Sequence, residues 1–177
     1  MIYFILGLLE VGAEYYRFEE NRMIFGNIVY IIIKVAVLIS YFFFIRGFVL
    51  IGVLFKNYLL RIISYILILA YSISLGYDII SLFNNDYAME IILLSEALIF
   101  GALGIILGIG IIRLNKTHGS IALVGGIFEL IAGFFLITVI LALLGLVVLL
   151  PAVLLEIILI YKTLEIIKEK QASGIEL

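Results

Sequence analysis

The residues of this sequence that could carry chemistry are ionisable side chains placed inside long apolar segments. Lys34 lies about 15 Å into the apolar segment that begins at residue 24, near the middle of a bilayer. Asn27, Tyr30 and Tyr41 share its face at helical spacing, which gives this segment one polar stripe. Ionisable residues at such depth are costly in lipid and usually mark a functional interior, so Lys34 is predicted to centre a polar site.

Carboxylates at comparable depth are the partners that a buried lysine needs. Glu129 lies on the small-residue face of a later apolar segment, at a depth similar to that of Lys34. An ion pair between Lys34 and Glu129 is therefore predicted. Glu10 is the alternative partner of Lys34 if the first 20 residues cross the membrane.

Further acidic residues fall in one half of the predicted spans, where no basic residue except Lys34 balances them. They are Asp78, Glu90, Glu96 and Glu156, with Glu14 added if the first segment crosses. Two interpretations stay open: a path for protons, cations or polar solutes, or hydrogen bonds between helices that fix the packing. The candidate polar pathway comprises Lys34, Glu129, Glu96, Glu156, Asp78, Glu10, Asn27 and Tyr30.

Patterns typical of enzymes are missing from the sequence. There is no cysteine, which excludes disulfides, thiolate metal sites and cysteine nucleophiles. The one histidine, His118, stands in a polar turn without a second metal ligand at suitable spacing, and is predicted to be a solvated loop residue. Motifs of serine hydrolases, zinc proteases and dinucleotide-binding folds are absent. We therefore expect a non-enzymatic protein with no catalytic residues, no cofactor and no metal.

The elements that must position these side chains follow from the composition. Of the 177 residues, 66% are hydrophobic and 14% are charged, whereas soluble domains are about half apolar and about a quarter charged. A soluble chain of this size could not hide so much apolar surface, so a lipid bilayer is the expected surrounding. A net charge of −2 without a basic stripe indicates no nucleic-acid partner.

Four apolar segments are long enough to cross a bilayer, which takes about 20 helical residues. They cover residues 24–45 (apolar to about 55), 58–83, 88–113 and 119–144. Gly145 and Pro151 bracket a break, because proline disrupts a helix interior. A turn at 145–150 and a fifth span over residues 148–167 are predicted there.

Residues 1–20 admit two structures. They form either a sixth span or an amphipathic helix on the membrane surface, and the span is favoured. The apolar run at residues 2–9 has no basic residue before it, so we expect it to belong to the mature protein. The predicted fold is an all-α, polytopic transmembrane helical bundle of five or six spans, with one domain over residues 1–170 and a polar tail at 171–177.

Basic residues in the short turns predict the orientation. With the spans above, eight of them fall on one side: Arg46, Lys56, Arg61, Arg113, Lys116, Lys162, Lys168 and Lys170. The opposite side has Arg17 and Arg22 alone. Lysine and arginine concentrate in cytoplasmic loops, so we expect a cell-membrane protein with a cytoplasmic C-terminus.

Small residues form stripes on the third and fourth long segments. Ala97, Gly101, Gly104 and Gly108 lie on one face of the third, and the stripe of the fourth comprises Ala122, Gly126 and Gly133. Small residues let membrane helices approach closely, so these two segments are predicted to pack together.

The last third of the chain combines a glycine-rich helix start with a late acidic element. It reads Gly125-Gly126-Ile127-Phe128-Glu129, and after an apolar stretch Leu155-Glu156-Ile157-Ile158. Over about 50 residues it resembles the C-terminal hairpin of uncharacterised multi-span membrane proteins, found mainly in archaea and grouped as a family of unknown function. The resemblance implies an archaeal membrane protein with no assigned chemistry.

Two functions are compatible with these patterns. The first is a multi-pass membrane protein that handles a proton, a cation or a small polar solute through an acidic interior cavity. The alternative is an accessory or structural subunit that packs against larger membrane partners, or forms a homo-oligomer, as the small chain and the glycine stripes would allow.

Overall fold

The chain is described by a computed structural model over residues 2–19, 26–83, 89–138 and 140–172. Helices account for nearly all of these residues, which confirms the predicted all-α fold. They are α1 (Ile2–Glu19), α2 (Asn27–Leu54), α3 (Tyr58–Ser81), α4 (Met89–Ile112), α5 (Asn115–His118), α6 (Ser120–Ile137) and α7 (Ala142–Ala172). Among the described residues, α2, α3, α4, α6 and α7 are long and apolar enough to span a membrane.

The outer surface of the bundle is apolar on every long helix. Only 22–39% of the residues in each spanning stretch are buried inside the protein. Large apolar side chains such as Ile32, Leu69 and Phe134 are more than half exposed. An exposed apolar surface of this extent, on helices that satisfy their own backbone hydrogen bonds, is what a lipid-facing bundle requires.

The helices pack mainly against their neighbours along the chain. α2 packs against α1 and α3, α3 against α4, α4 against α6, and α6 against α7. Side chains from all the long helices meet in one apolar core toward the ends of α2 and α4. Its most deeply buried members are Ile45, Phe48, Ile51, Leu60, Ile63, Ile111, Leu114, Ala122 and Leu159.

Helix α1 runs antiparallel to α2 at membrane depth. The ring of Tyr3 stacks on that of Phe44, with 5.0 Å between centroids. Further along, Glu10 contacts Lys34, which is nearer the start of α2. Phe44 lies about 25 Å along α2 from its first residue, so α1 reaches well into the bundle. α1 therefore packs against the bundle, and the crossing of the membrane by residues 1–20 stays a prediction. The apolar part of α1, Ile2–Ala13, is shorter than the five spans.

The turn predicted at 145–150 is wrong. Helix α6 ends at Ile137, where the Thr138 hydroxyl donates to the Phe135 carbonyl at 2.8 Å, and α7 begins at Ala142. Gly145 lies inside α7 at a close helix contact, since a Cβ there would stand 3.1 Å from the Ala132 carbonyl oxygen. Gly145, which suggested a break, therefore allows α7 to pack closely against α6.

Pro151 lies inside α7, so the fifth span is longer than the predicted 148–167. Proline removes one backbone hydrogen bond from a helix, but spanning helices tolerate it because neighbouring groups in the bundle re-satisfy the backbone. Ala152, the residue that follows, is fully buried. Contacts with the rest of the bundle thus hold this stretch helical.

The predicted packing of the two glycine stripes is confirmed by the crossing of α4 and α6. A Cβ on Gly101 would stand 2.8 Å from the Gly133 carbonyl oxygen. At the other end of the contact, a Cβ on Gly108 would stand 2.7 Å from the Gly126 carbonyl oxygen. Only glycine permits backbones to approach this closely, so the stripes set the distance between the helices.

Candidate functional site

Lys34 is the centre of a buried ion cluster that joins three helices. Its ammonium nitrogen lies 2.5 Å from Asp78 Oδ2 of α3 and 2.9 Å from Glu10 Oε1 of α1. The Lys34 side chain is 6% exposed and that of Asp78 is 8% exposed. Charge-assisted hydrogen bonds of this length are the strong kind, so the cluster ties α1 and α3 to α2.

Aromatic and hydroxyl groups complete this cluster. The Tyr71 hydroxyl donates to Glu10 Oε2 at 2.9 Å, which fixes the carboxylate from the side opposite Lys34. The Tyr30 ring centroid lies 5.5 Å from the Lys34 ammonium nitrogen, within the range of a cation–π contact. Both oxygens of Glu10 are therefore engaged.

The predicted ion pair between Lys34 and Glu129 is wrong, and the alternative partner Glu10 is confirmed. Among the described residues, the carboxylates paired with Lys34 are those of Glu10 and Asp78. The reason is topological, because α2 packs against α1 and α3, whereas Glu129 belongs to α6, which packs against α4 and α7. Similar depth was not enough to bring the two side chains together.

Glu129 and Glu156 form a second set of buried carboxyls, on α6 and α7. They are 6% and 3% exposed. Glu129 Oε2 and Glu156 Oε1 are fully buried and have no hydrogen-bond partner among the described residues. Helices α6 and α7 meet at this level, since a Cβ on Gly125, one turn before Glu129, would stand 3.3 Å from the Cβ of Leu155, the residue before Glu156. We call them the carboxyl pair.

Glycine makes room for the carboxyl pair on its α4 side. A Cβ built on Gly104 would stand 3.1 Å from Glu129 Oε1, so the carboxyl lies directly against the α4 backbone. The small-residue stripe of α4, which allows α6 to approach closely, thus also leaves space for the Glu129 carboxyl. Tyr3 of α1 and Tyr41 of α2, whose rings are 5.2 Å apart, feel the charges of both carboxyls.

The remaining predicted pathway residues divide into two cases. Glu96 of α4 accepts a hydrogen bond from the Ser74 hydroxyl of α3, so it joins two neighbouring helices. Asn27 is exposed in the first turn of α2 and does not reach the Lys34 cluster. The side chains of Glu14 and Glu90 lie outside the described residues.

The prediction that His118 is a solvated loop residue is wrong. The side chain is fully buried at the end of the bundle where the basic turns lie. Its Nε2 lies 2.9 Å from Thr163 Oγ1 of α7, and the Lys162 ammonium donates to the His118 carbonyl at 2.8 Å. Burial and the charge of Lys162 lower the pKa of His118 below its usual value. The sequence offered no local signal for this contact, because its partners lie about 45 residues away.

A short cap closes the neighbouring turn. Asn57 accepts a hydrogen bond from the Leu60 backbone N–H at the start of α3, and its amide donates to the Gly110 carbonyl of α4 at 2.7 Å. Lys56 before it adopts a positive φ of 53°. The α2–α3 turn is thereby fixed against the end of α4.

In the described part of the chain, no three histidine, cysteine, aspartate or glutamate side chains are grouped as a metal site would require. What the fold and its buried charges define, over the residues that the structure describes, is a multi-pass membrane protein with five apolar spans and ionisable side chains in its interior. No known protein family, no curated protein and no solved structure matches this chain.

Proposed function

We propose that this protein is not an enzyme and handles a proton, a cation or a small polar solute through its acidic interior. The observation that carries the proposal is an excess of acids at membrane depth. Among the described residues, Lys34 is the one buried lysine or arginine. Five carboxylates, on five different helices, accompany it: Glu10, Asp78, Glu96, Glu129 and Glu156.

The cost of charge in lipid supports this function. Two of the five carboxylates share the single positive charge of Lys34, but the carboxyl pair has buried oxygens without a described partner. Such groups are expensive at membrane depth, and intramembrane acids of this kind are used for ion and solute paths and for proton relays. Packing alone would be served as well by apolar residues of similar volume.

Orientation completes the proposal. The exposed basic residues Lys56, Arg113 and Lys116 lie in turns at one end of the bundle, and Lys162 of α7 reaches the same end through His118. We place this end in the cytoplasm, with the C-terminus, on the rule that lysine and arginine concentrate on that side. The carboxylates would then be reached from the opposite face.

The proposal is tested by flux into liposomes containing the purified full-length protein. Wild-type protein is expected to move protons, an alkali cation or a small polar solute down a gradient, and Glu129→Gln is expected to reduce that flux. Glu165→Gln is the matched control, since Glu165 is exposed near the end of α7. Wild-type inactivity toward all three solute classes would count against the proposal.

The second candidate is an accessory or structural subunit of a larger membrane complex, or a homo-oligomer. The Lys34 cluster favours it, because both of its carboxylates are paired and the ammonium links three helices as a fixed strut. Extraction in a mild detergent, followed by size measurement, separates the candidates. A stable complex of fixed stoichiometry with other membrane proteins would favour the subunit, and an isolated chain would weaken it.

A further inference from the structure

The carboxyl pair is the part of the interior whose charge nothing described neutralises. In the Lys34 cluster, by comparison, a buried carboxylate has a partner at each oxygen. Both oxygens of Glu10 are bonded, one to Lys34 and the other to Tyr71. At the carboxyl pair, in contrast, one oxygen of each residue is fully buried and has no described hydrogen-bond partner.

The surroundings of the pair supply no positive charge. The titratable groups that face it are the phenols of Tyr3 on α1 and Tyr41 on α2. On the α4 side it meets the backbone at Gly104. In the described ranges, no lysine, arginine or histidine forms an ion pair with either carboxyl, and Lys34 pairs with Glu10 and Asp78 instead.

Two adjacent negative charges in the middle of a bilayer would be opposed both by desolvation and by mutual repulsion. A native structure rarely leaves buried oxygens without a partner, and such oxygens commonly indicate a water or an ion. The geometry points to a binding site for one small monovalent cation between Glu129 and Glu156, occupied by a proton or by an alkali-metal ion. This inference rests on the proposed function and names its ligand.

A single positive charge fits the site better than a divalent ion. Calcium takes six to eight oxygen ligands and magnesium needs near-octahedral geometry, usually with several waters. The carboxyl pair offers two carboxyl groups beside the α4 backbone at Gly104. One proton, or one alkali ion with few ligands, cancels one of the two charges and does not need a large coordination shell.

Dicyclohexylcarbodiimide is a suitable probe because it is apolar and adds to protonated carboxyls in apolar surroundings. The full-length protein in detergent micelles is treated in choline buffer, free of alkali ions, over a range of pH. Peptide mapping by mass spectrometry then locates the adduct. We expect the adduct on Glu129 or Glu156, and its loss from that peptide when the labelled residue is replaced by glutamine. Glu165→Gln is the control and should leave the labelling unchanged.

Adding sodium, potassium or lithium salts distinguishes the two sources of the cation. Suppression of the adduct by one of these ions, with choline at equal ionic strength as the reference, identifies an alkali ion. An adduct that ignores the salts and disappears only as the pH rises identifies a proton.

Failure of the site and failure of the proposed function are distinguishable. Absence of any adduct on both glutamates at every pH, in protein shown to be folded by circular dichroism, would overturn the site, whatever the liposomes show. If the same peptides are still labelled in the double variant Glu129→Gln/Glu156→Gln, the proposed site is overturned as well. Specific labelling without flux would keep the site and reject the transport function.

Discussion

The two sides of this bundle handle buried polarity in opposite ways. On one side, α1, α2 and α3 are joined by the Lys34 cluster, in which an ammonium is shared by two carboxylates. On the other side, α4, α6 and α7 are joined by close contacts at glycines, among them Gly126 and Gly133, and contain the carboxyl pair without a described partner. The first side uses charge to hold helices together, and the second uses backbone contact.

This difference indicates where an exchangeable ligand belongs. A carboxylate already bound by a lysine must lose that partner before it can take another, and breaking a buried pair costs about 3–5 kcal/mol. The carboxyl pair has no such partner to lose among the described residues. The side formed by α1, α2 and α3 therefore suits a structural role. The side formed by α4, α6 and α7, which we call the glycine side, is held together by backbone contacts, so it can accommodate a change of ligand.

The largest effect is expected from Lys34→Met, which leaves the carboxylates of Glu10 and Asp78 buried without their cation. The free energy of unfolding should fall by about 3–5 kcal/mol, as measured by SDS titration of the protein in mixed micelles. Lys116→Met is the control, because this lysine is exposed, and should change stability little. A loss equal to that of the control would show that the cluster does not hold α1 and α3.

The triple variant Lys34→Met, Glu10→Gln and Asp78→Asn tests the same cluster from the other direction. If the loss in the single variant comes from uncompensated charge, neutralising both acids should recover much of it, by about 1–4 kcal/mol. No recovery would mean that hydrogen bonds or packing, and not charge, dominate this side.

The next effect concerns the glycine side. In Gly126→Ala, the new Cβ would stand 2.5 Å from Ile112 Cγ1 and 2.7 Å from the Gly108 carbonyl oxygen. Overpacking of this kind should lower the free energy of unfolding by about 1–3 kcal/mol. Gly76→Ala is the matched control, since nothing lies within 4 Å of its Cβ position. It should stabilise α3 by up to about 1 kcal/mol. Equal effects at both glycines would contradict the close crossing.

A smaller effect separates the two kinds of buried acid. Glu129→Gln should change the free energy of unfolding by less than about 1 kcal/mol, because one oxygen of this residue has no bond to lose. Asp78→Asn removes a carboxylate from Lys34 and should cost more. The free energies of unfolding of the two variants are compared in the same SDS titration. A greater loss for Glu129→Gln would show that Glu129, and not Asp78, is the acid that stabilises the bundle.

How far the sequence could predict this structure depends on the range of each signal. The number of long apolar spans and the α4–α6 contact follow from local composition and from the helical spacing of small residues, and both were confirmed over the described residues, although the boundary between the last two spans was wrong. The break at Pro151 was wrong because α7 continues through the proline, and the burial of Ala152 beside it depends on tertiary contacts that the sequence does not display. Depth along a helix likewise said nothing about which helix stands opposite Lys34, so its pairing with Glu129 was wrong.

The carboxyl pair shows the same limit in the candidate site. Glu129 and Glu156 were recognised as acids at membrane depth, but their approach to each other depends on how α6 and α7 pack. The role of these residues stays a prediction. Thr163 was missed altogether, since a threonine on an apolar helix carries no signal until the structure brings it to His118.

The smallest expected effect is a pH dependence at the basic end of the glycine side. Burial and the charge of Lys162 lower the pKa of His118 in the folded protein, so the unfolded chain binds its proton more readily, at a pKa of about 6.5. The contribution of neutral His118 to stability is therefore complete above that value and is lost as the pH falls below it. Unfolding measured over this range should show the loss in wild type and not in His118→Gln. A wild-type curve that matches that of His118→Gln at every pH would show that protonation of His118 does not affect the stability of the bundle.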